Sequence, residues 1–595
     1  MSQIAMNYRS SHIGQNLSNG DKADVILRNG RCYTVNPKQP WVEALAIKDG
    51  RILALGSNTD MDVYVGSQTR QVDLIGRFAM PGLYDMHTHP DLALAPSYAG
   101  YLDVGIEDPT PQQIADAVLD YAETHPDKEW IFGQYFVHFH FKRAGIEPDR
   151  HWLDRLVPDR PVAIHDRSWG CILVNSKALE LAGISADTPD PGNGYIERDN
   201  LTGEPTGILV DGAYALIHAA MPPVPTHALQ RAYREAIHYQ TSRGVVGSKY
   251  VHVCEHRLNA LKTIDDAGDM TMRVEAAISW QDDIFPVKRR WQLLAGERHY
   301  YRSARLNANA VKFHFDGTHG SRSSYLSTPW PGESQWRGAL NMTSEHITDM
   351  VVDLDRRGIR VIAHCVGDGA SDIFLDAVAE ARRRNGYRDG ISVKHQCAHS
   401  TVLLDENLPR FAELNVIAEF SPVGWLPEPY ARAREVMGRE RFDRMYNFKG
   451  VLDHGGIAVM GTDWPVSNIN PWVGFEAMIT RQNPWFENED TFHGEPLSVE
   501  EAIRVMTLNG AVSMGLEEQA GSLEVGKSAD VIVLDRNVFE VEARGNIHNT
   551  QVDLTFLEGR LMWDREAELA DVMSPHWSDC PPDFYRKQHS GGASI

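Results

Sequence analysis

The chain has 595 residues, with 81 acidic against 58 basic side chains and a formal charge of −23 at pH 7. That excess of negative charge argues against nucleic acid or an anionic membrane as a partner. At 42% hydrophobic and 23% charged residues the chain reads as globular rather than disordered, and its length exceeds one compact core unless a large barrel with insertions absorbs it. Six cysteines, Cys32, Cys171, Cys254, Cys365, Cys397 and Cys580, show no CxxC spacing, so buried free thiols are expected rather than a disulfide framework or a structural zinc module. The first residues lack a basic start followed by an apolar core, and no run approaches the ~20 apolar residues of a membrane span. A cytoplasmic protein is the expectation.

In chain order, residues 1–22 are polar and read as an arm. From Ala23 the pattern becomes short β segments, ADVILRNGRCYTV, EALAIKDGRILALG and RQVDLIGRFAM, punctuated by Asn29-Gly30 and Asp49-Gly50, dipeptides suited to tight hairpin turns. The same grammar returns in GSLEVGKSADVIVLD (521–535) and QVDLTFLEGRLMW (551–563), which suggests one small sheet module built from both chain ends and enclosing everything between.

The module runs into MPGLYDMHTHP, residues 80–90. Residues i and i+2 of a strand point to the same side, so His87 and His89 present two imidazoles to one point, a geometry that suits a metal ion but recurs by chance. Further on, candidate strands at 244–253, 272–279, 309–317, 360–368, 392–399, 415–422 and 457–465 alternate with helical stretches such as SEHITDMVVDLDRRG. With the HxH strand they make eight, and repeated β–α alternation implies right-handed crossovers and a parallel sheet. The expected fold is α/β, a (β/α)8 barrel of TIM type, in which chemistry sits at the C-terminal strand ends.

Polar residues collect at those ends. Beyond His87 and His89, Lys312 lies on the fourth candidate strand, His364 on the fifth, His395 on the sixth and Asp463 on the eighth. A buried titratable group is costly without a partner, and a metal centre would reconcile four imidazoles, an aspartate and a lysine crowded together.

The strings PGLYDMHTH, VKFHFDGTHGSR, AHCVGDGA, KHQCAHS, GTDWPVS and GSLEVGKSADVIVLD together resemble the metal-dependent amidohydrolase superfamily. More narrowly they resemble its YtcJ-like branch, amidohydrolase family 3, which includes N-substituted formamide deformylases; NSKALELAGI and GEPTGIL also match that branch. The resemblance covers about residues 23–565 and implies a β-sandwich from 23–78 with 516–565, a metal-dependent hydrolase barrel from 79–94 with 241–515 and an inserted cap over 95–240, leaving outside it the polar arm over 1–22 and a tail over 566–595. It further implies one or two divalent metal ions, zinc foremost. His87 and His89 would hold one ion, and Lys312, N6-carboxylated by carbon dioxide, would bridge to a second on His364 and His395. Asp463 would contact the first ion and act as catalytic base. Metal-activated water would then cleave an amide, formamide or similar C–N bond of a small molecule.

The chain departs from the family at Lys394, where a glutamate is common, and at Asp166–Cys171, where a histidine is common. Trp169, His314, His319, Arg322 and Trp464 are the candidate substrate contacts. His314 shares a strand face with Lys312, yet His314 and His319 also read as supporting or surface histidines, and a second HxH, His138 and His140, reads as a strand with one polar face. The alternatives in function are an esterase, lactonase or carbamate hydrolase on the same site, or a non-catalytic barrel serving as a binding subunit. A homodimer is left open.

Overall fold

The structure is a computed structural model that describes residues 22–99, 101–102, 109–136, 138–166, 170–191, 194–280, 290–319, 322–387, 392–421, 430–482, 484, 494–540 and 546–567. The chain divides into two compact units, one of Met1–Tyr84, Gln240–Val246 and Val499–Ile595, the other of Asp85–Tyr239 and Gly247–Ser498.

The first unit carries two sheets. One orders the strands Arg51–Gly56, Ala44–Lys48, Val25–Arg28 and Arg70–Asp73. The other orders Arg560–Asp564, Val552–Leu557, Val531–Leu534, Phe78–Pro81, Arg31–Tyr33 and Trp41–Val42, so Val531–Leu534 from the C-terminal region pairs antiparallel with Phe78–Pro81. Leu27, Leu45, Ile47 and Ile52 of the first sheet share one buried cluster with Ala79, Val531, Val533 and Phe556 of the second. Asp49 (φ 50°) and Gly50 (φ 77°) close a two-residue hairpin between Lys48 and Arg51, as their sequence foretells. Asn29-Gly30 does not make the expected hairpin. Val25–Arg28 already has Ala44–Lys48 on one edge and Arg70–Asp73 on the other, so the chain turns a corner there into the second sheet.

The barrel is an eight-stranded parallel sheet. Its strands are β1 (Leu83–Thr88), β2 (Val245–Val253), β3 (Arg273–Ser279), β4 (Leu306–His314), β5 (Arg360–Cys365), β6 (Gln396–His399), β7 (Ile417–Phe420) and β8 (Ile457–Met460), each hydrogen-bonded to its neighbour in sequence. Beyond β8 the chain reaches β1: Asp463 N–H donates to His87 O at 2.8 Å, and His89 N–H to Trp464 O at 2.7 Å. All eight strands fall within or beside the segments expected from sequence, and the (β/α)8 barrel stands. Between strands, α1 (Ser344–Arg356) is capped by Thr343, whose side chain accepts from His346 N–H, and α2 (Asp368–Asn385) follows β5.

Pleating sorts the barrel interior into layers. Near the strand starts, Lys249 Nζ lies 2.6 Å from Gln396 Oε1 and 3.3 Å from Glu275, which also pairs with Arg360. One pleat further, Val251, Ala277, Ile362 and Ala398 form an apolar layer with Ala310. The next pleat holds the polar groups at the C-terminal ends.

Between β1 and β2 lies a five-stranded sheet of Gly194–Arg198, Pro205–Asp211, Cys171–Val174, Val162–Asp166 and Ile131–Phe136, with a core that includes Phe136, Phe141, Trp152 and Ile164. Here the second HxH departs from expectation. His138–Arg143 is a short helix rather than the expected strand. Cys32, Cys171, Cys254, Cys365 and Cys397 are free thiols and Cys580 lies outside the described residues. Among the described residues no helix is long and apolar enough to cross a membrane.

Candidate metal centre

Six imidazoles form a closed ring at the C-terminal end of the barrel. Successive centroids are 5.4 Å apart for His87–His89, 5.5 Å for His89–His252, 4.4 Å for His252–His314, 4.6 Å for His314–His364, 4.5 Å for His364–His399 and 4.6 Å for His399–His87. Lys312 reaches into this ring, its Nζ 3.1 Å from His87 Nε2. Asp463 Oδ1 is 3.3 Å from His89 Nε2 and 3.7 Å from His87 Nε2, and Oδ2 is 3.9 Å from His399 Nδ1. Ligand atoms of His87, His399 and Asp463 all lie within 4.8 Å of one another, a spacing that could hold a metal ion.

The backbone is contorted at this rim. His252, His399, Ser400 and Asp463 all have left-handed φ, at 61°, 69°, 40° and 56°. Such conformations cost roughly 1–3 kcal/mol each for a residue with a side chain, and they persist where packing over-determines them. Gly461 permits a close approach, since a Cβ there would sit 2.4 Å from the Cβ of His87.

The structure thus brings together His87, His89, Lys312, His364, Asp463 and the candidate contact His314. It does not bring His395. That residue precedes β6, where its Nε2 lies 3.1 Å from Asp355 on α1 and its Nδ1 accepts from Val361 N–H at 3.1 Å, away from the ring. His399 takes its place. The pleat explains the difference: Ala398 pairs with inward-facing His364, so His395 and His399 both have outward parity, and only the left-handed turn at His399 swings its imidazole inside. His252 arrives the same way, next to a register shift between Tyr250 and Val253. His399 ends its predicted strand and His252 lies one residue before the end of its own, and that position was the available signal.

A third residue missed from sequence is Glu419 on β7. Its Oε2 lies 2.9 Å from His87 Nδ1 and accepts from His399 N–H at 3.0 Å, while Oε1 accepts from the Ser421 hydroxyl at 2.8 Å. His252 Nε2 lies 2.8 Å from His314 Nε2, and its Nδ1 3.1 Å from Ser279 Oγ. Of the remaining candidates, His319 packs on Ser324 and Trp330, and Arg322 on Pro331 O, Glu333 and the Trp330 ring, all within the segment after β4. Trp464 is buried and its carbonyl serves barrel closure, while Trp169 lies outside the described residues.

Burial, reinforced by Lys312 and neighbouring rings, pushes His87, His252 and His364 well below the ordinary imidazole range and His399 down to about 3. They are neutral near pH 7, with lone pairs available for coordination. Burial would push Asp463 up, but His399, His89 and Lys312 outweigh it and hold the carboxyl below its usual range. Neutral imidazoles around a carboxylate fit a divalent transition-metal ion.

Barrel and site define a hydrolase-type (β/α)8 enzyme scaffold with its histidines and acid at the strand mouth. The sequence profile of the amidohydrolase family matches residues 70–562, and the chain belongs to that family. It is 27% identical over 544 residues to the protein LONG AFTER FAR-RED 3 of Arabidopsis thaliana, covering 88% of each chain. It is 26% identical over 569 residues to the N-substituted formamide deformylase of Arthrobacter pascens, covering 91% of this chain and 98% of that one. Among solved structures, an uncharacterized metal-dependent hydrolase from Pyrococcus furiosus matches with a TM-score of 0.65 at 24% identity, covering 86% of this chain and 99% of that one, a likeness of fold.

His395 and His399 give opposite expectations. His399→Ala should lower the affinity for an added divalent ion such as zinc by about 100-fold or more, at or above what loss of a residue behind a ligand costs. His395→Ala should keep the wild-type affinity for that ion and lose about 1–3 kcal/mol of stability, because Asp355 and Val361 N–H lose a buried partner. Elemental analysis and thermal melts of the two variants decide; a zinc-free His395→Ala protein that still folds would reverse the assignment.

Proposed function

We propose that this protein hydrolyses an amide, formamide or similar C–N bond of a small molecule, using one or two divalent ions, zinc foremost. The observation that carries this reading is the convergence of His87, His89, His364, His399 and Asp463 around Lys312 at the C-terminal end of a barrel. His87, His89 and Asp463 would hold one ion, and His364, His399 and an N6-carboxylated Lys312 the other. Such ions polarise a carbonyl and lower the pKa of water toward neutrality.

The chain's own residues do the rest. Asp463 is held as a carboxylate between His89 and His399, where it takes a proton from the attacking water and returns it to the departing nitrogen. His314 is half-buried at the end of β4, with its ring against His252 and His364, and would orient the substrate from the mouth. The named activity of the Arthrobacter relative supports formamides as the first class to try.

The test is hydrolysis by zinc-loaded protein of N-formyl amines, N-acyl amines, aryl amides and small esters, with products identified. Release of an amine with formate or a carboxylate is the expected result. Turnover confined to esters, lactones or carbamates would move the reading to those bonds, and no turnover of any carbonyl substrate by protein of verified zinc content would defeat it.

A further inference from the structure

Glu419 occupies an unusual place among the buried acids. It sits on β7, which supplies no histidine to the ring, and it is fully buried. The parallel pairing of β6 with β7 matches Gln396 with Ile417 and Cys397 with Ala418, and the Glu419 carboxyl beyond it meets the His399 amide where β6 turns left-handed. One oxygen serves two groups at once: Oε2 is 2.9 Å from His87 Nδ1 and 3.0 Å from the His399 amide nitrogen. The other oxygen is anchored by Ser421 at 2.8 Å.

We infer that Glu419 is a positioning residue that clamps two of the centre's imidazoles, one through its ring and one through its backbone. Accepting from His87 Nδ1–H fixes the tautomer in which Nε2 carries the lone pair, and Nε2 is the atom that faces Asp463 and Lys312. When ionised, a carboxyl behind a ligating imidazole also raises that ligand's basicity. Accepting from His399 N–H holds the left-handed conformation that turns the His399 imidazole inward against its strand parity. Because one oxygen makes both contacts, loss of Glu419 should loosen both ligands together. Glutamine can keep the geometry, its amide oxygen taking the two N–H groups and its amide nitrogen facing Ser421, but it lacks the charge. Alanine removes both.

This inference rests on the metal-dependent reading above, and the experiment separates the two. Zinc affinity is measured by chelator competition for wild type, Glu419→Gln and Glu419→Ala, with His395→Ala as a control for a buried structural change. Side-chain nitrogen NMR of the metal-free proteins reports the His87 tautomer. Glu419→Ala is expected to bind zinc about 10–100-fold more weakly than wild type, with Glu419→Gln between them and His395→Ala near wild type. Wild-type His87 should carry its proton on Nδ1. Equal affinity in wild type and a folded Glu419→Ala, or an Nε2–H tautomer in wild type, would overturn the clamp while leaving the hydrolase reading intact. A wild type that binds no zinc would sink that reading instead, and the tautomer would then decide the clamp. Should Glu419→Ala fail to fold, the affinity of Glu419→Gln against wild type decides in its place, equal values again overturning the clamp.

Discussion

Asp463→Asn should leave most of the metal bound and reduce turnover by about 10²–10⁴-fold, the range that a positioned general base supplies. Asparagine matches the aspartate in size, so the left-handed backbone at this position (φ 56°) and its N–H donation to His87 O need not change. What it removes is the proton acceptor between His89 and His399. Turnover on the substrate found by screening, read beside zinc content, checks this. Residual activity within a few-fold of wild type would assign the proton transfer elsewhere, and His314 would be the next residue to test.

Lys312→Ala should cost the second ion and most of the activity, by about 10³-fold or more if the two-ion mechanism operates. Lys312 is almost wholly buried, and its Nζ sits 3.1 Å from the nitrogen with which His87 would ligate. Two unit positive charges about 4 Å apart repel by about 4 kcal/mol at an effective dielectric of 20, so an ammonium and a divalent ion do not share this space at ease. Carboxylation by carbon dioxide would turn the lysine into an anionic ligand and remove the conflict. On that basis short carboxylic acids added with zinc should restore part of the activity of Lys312→Ala by filling the vacated bridge. Intact mass spectrometry of the native holo protein should show the mass of one added carbon dioxide. Two zinc ions per chain in Lys312→Ala, or an unmodified lysine beside a single ion, would rule out the bridged arrangement.

Much of this architecture was legible in the chain itself. Hydrophobic runs of strand length alternating with amphipathic helices are a local property, so the eight barrel strands could be read from their own residues, and so could the hairpin at Asp49-Gly50. The HxH of β1 was readable because a regular strand sets the parity of its side chains, and His87 and His89 needed nothing further to share a side. Lys312, His364 and Asp463 follow from the rule that barrel chemistry sits at C-terminal strand ends.

Only the tertiary structure decided the rest. Whether Asn29-Gly30 is a hairpin or a corner depends on which edges of Val25–Arg28 are already taken, and its partners lie elsewhere in the chain. The choice between His395 and His399 could not be made by parity, since both point outward in a regular β6. His395 stays on the helix side with Asp355, whereas a left-handed residue, held by an acceptor from β7, turns His399 into the barrel. Glu419 itself reads in sequence as a lone acid in an apolar strand. Its meaning comes from two histidines distant in the chain, one 332 and the other 20 residues away. Periodicity reports the regular backbone, and this centre is assembled where the backbone departs from it.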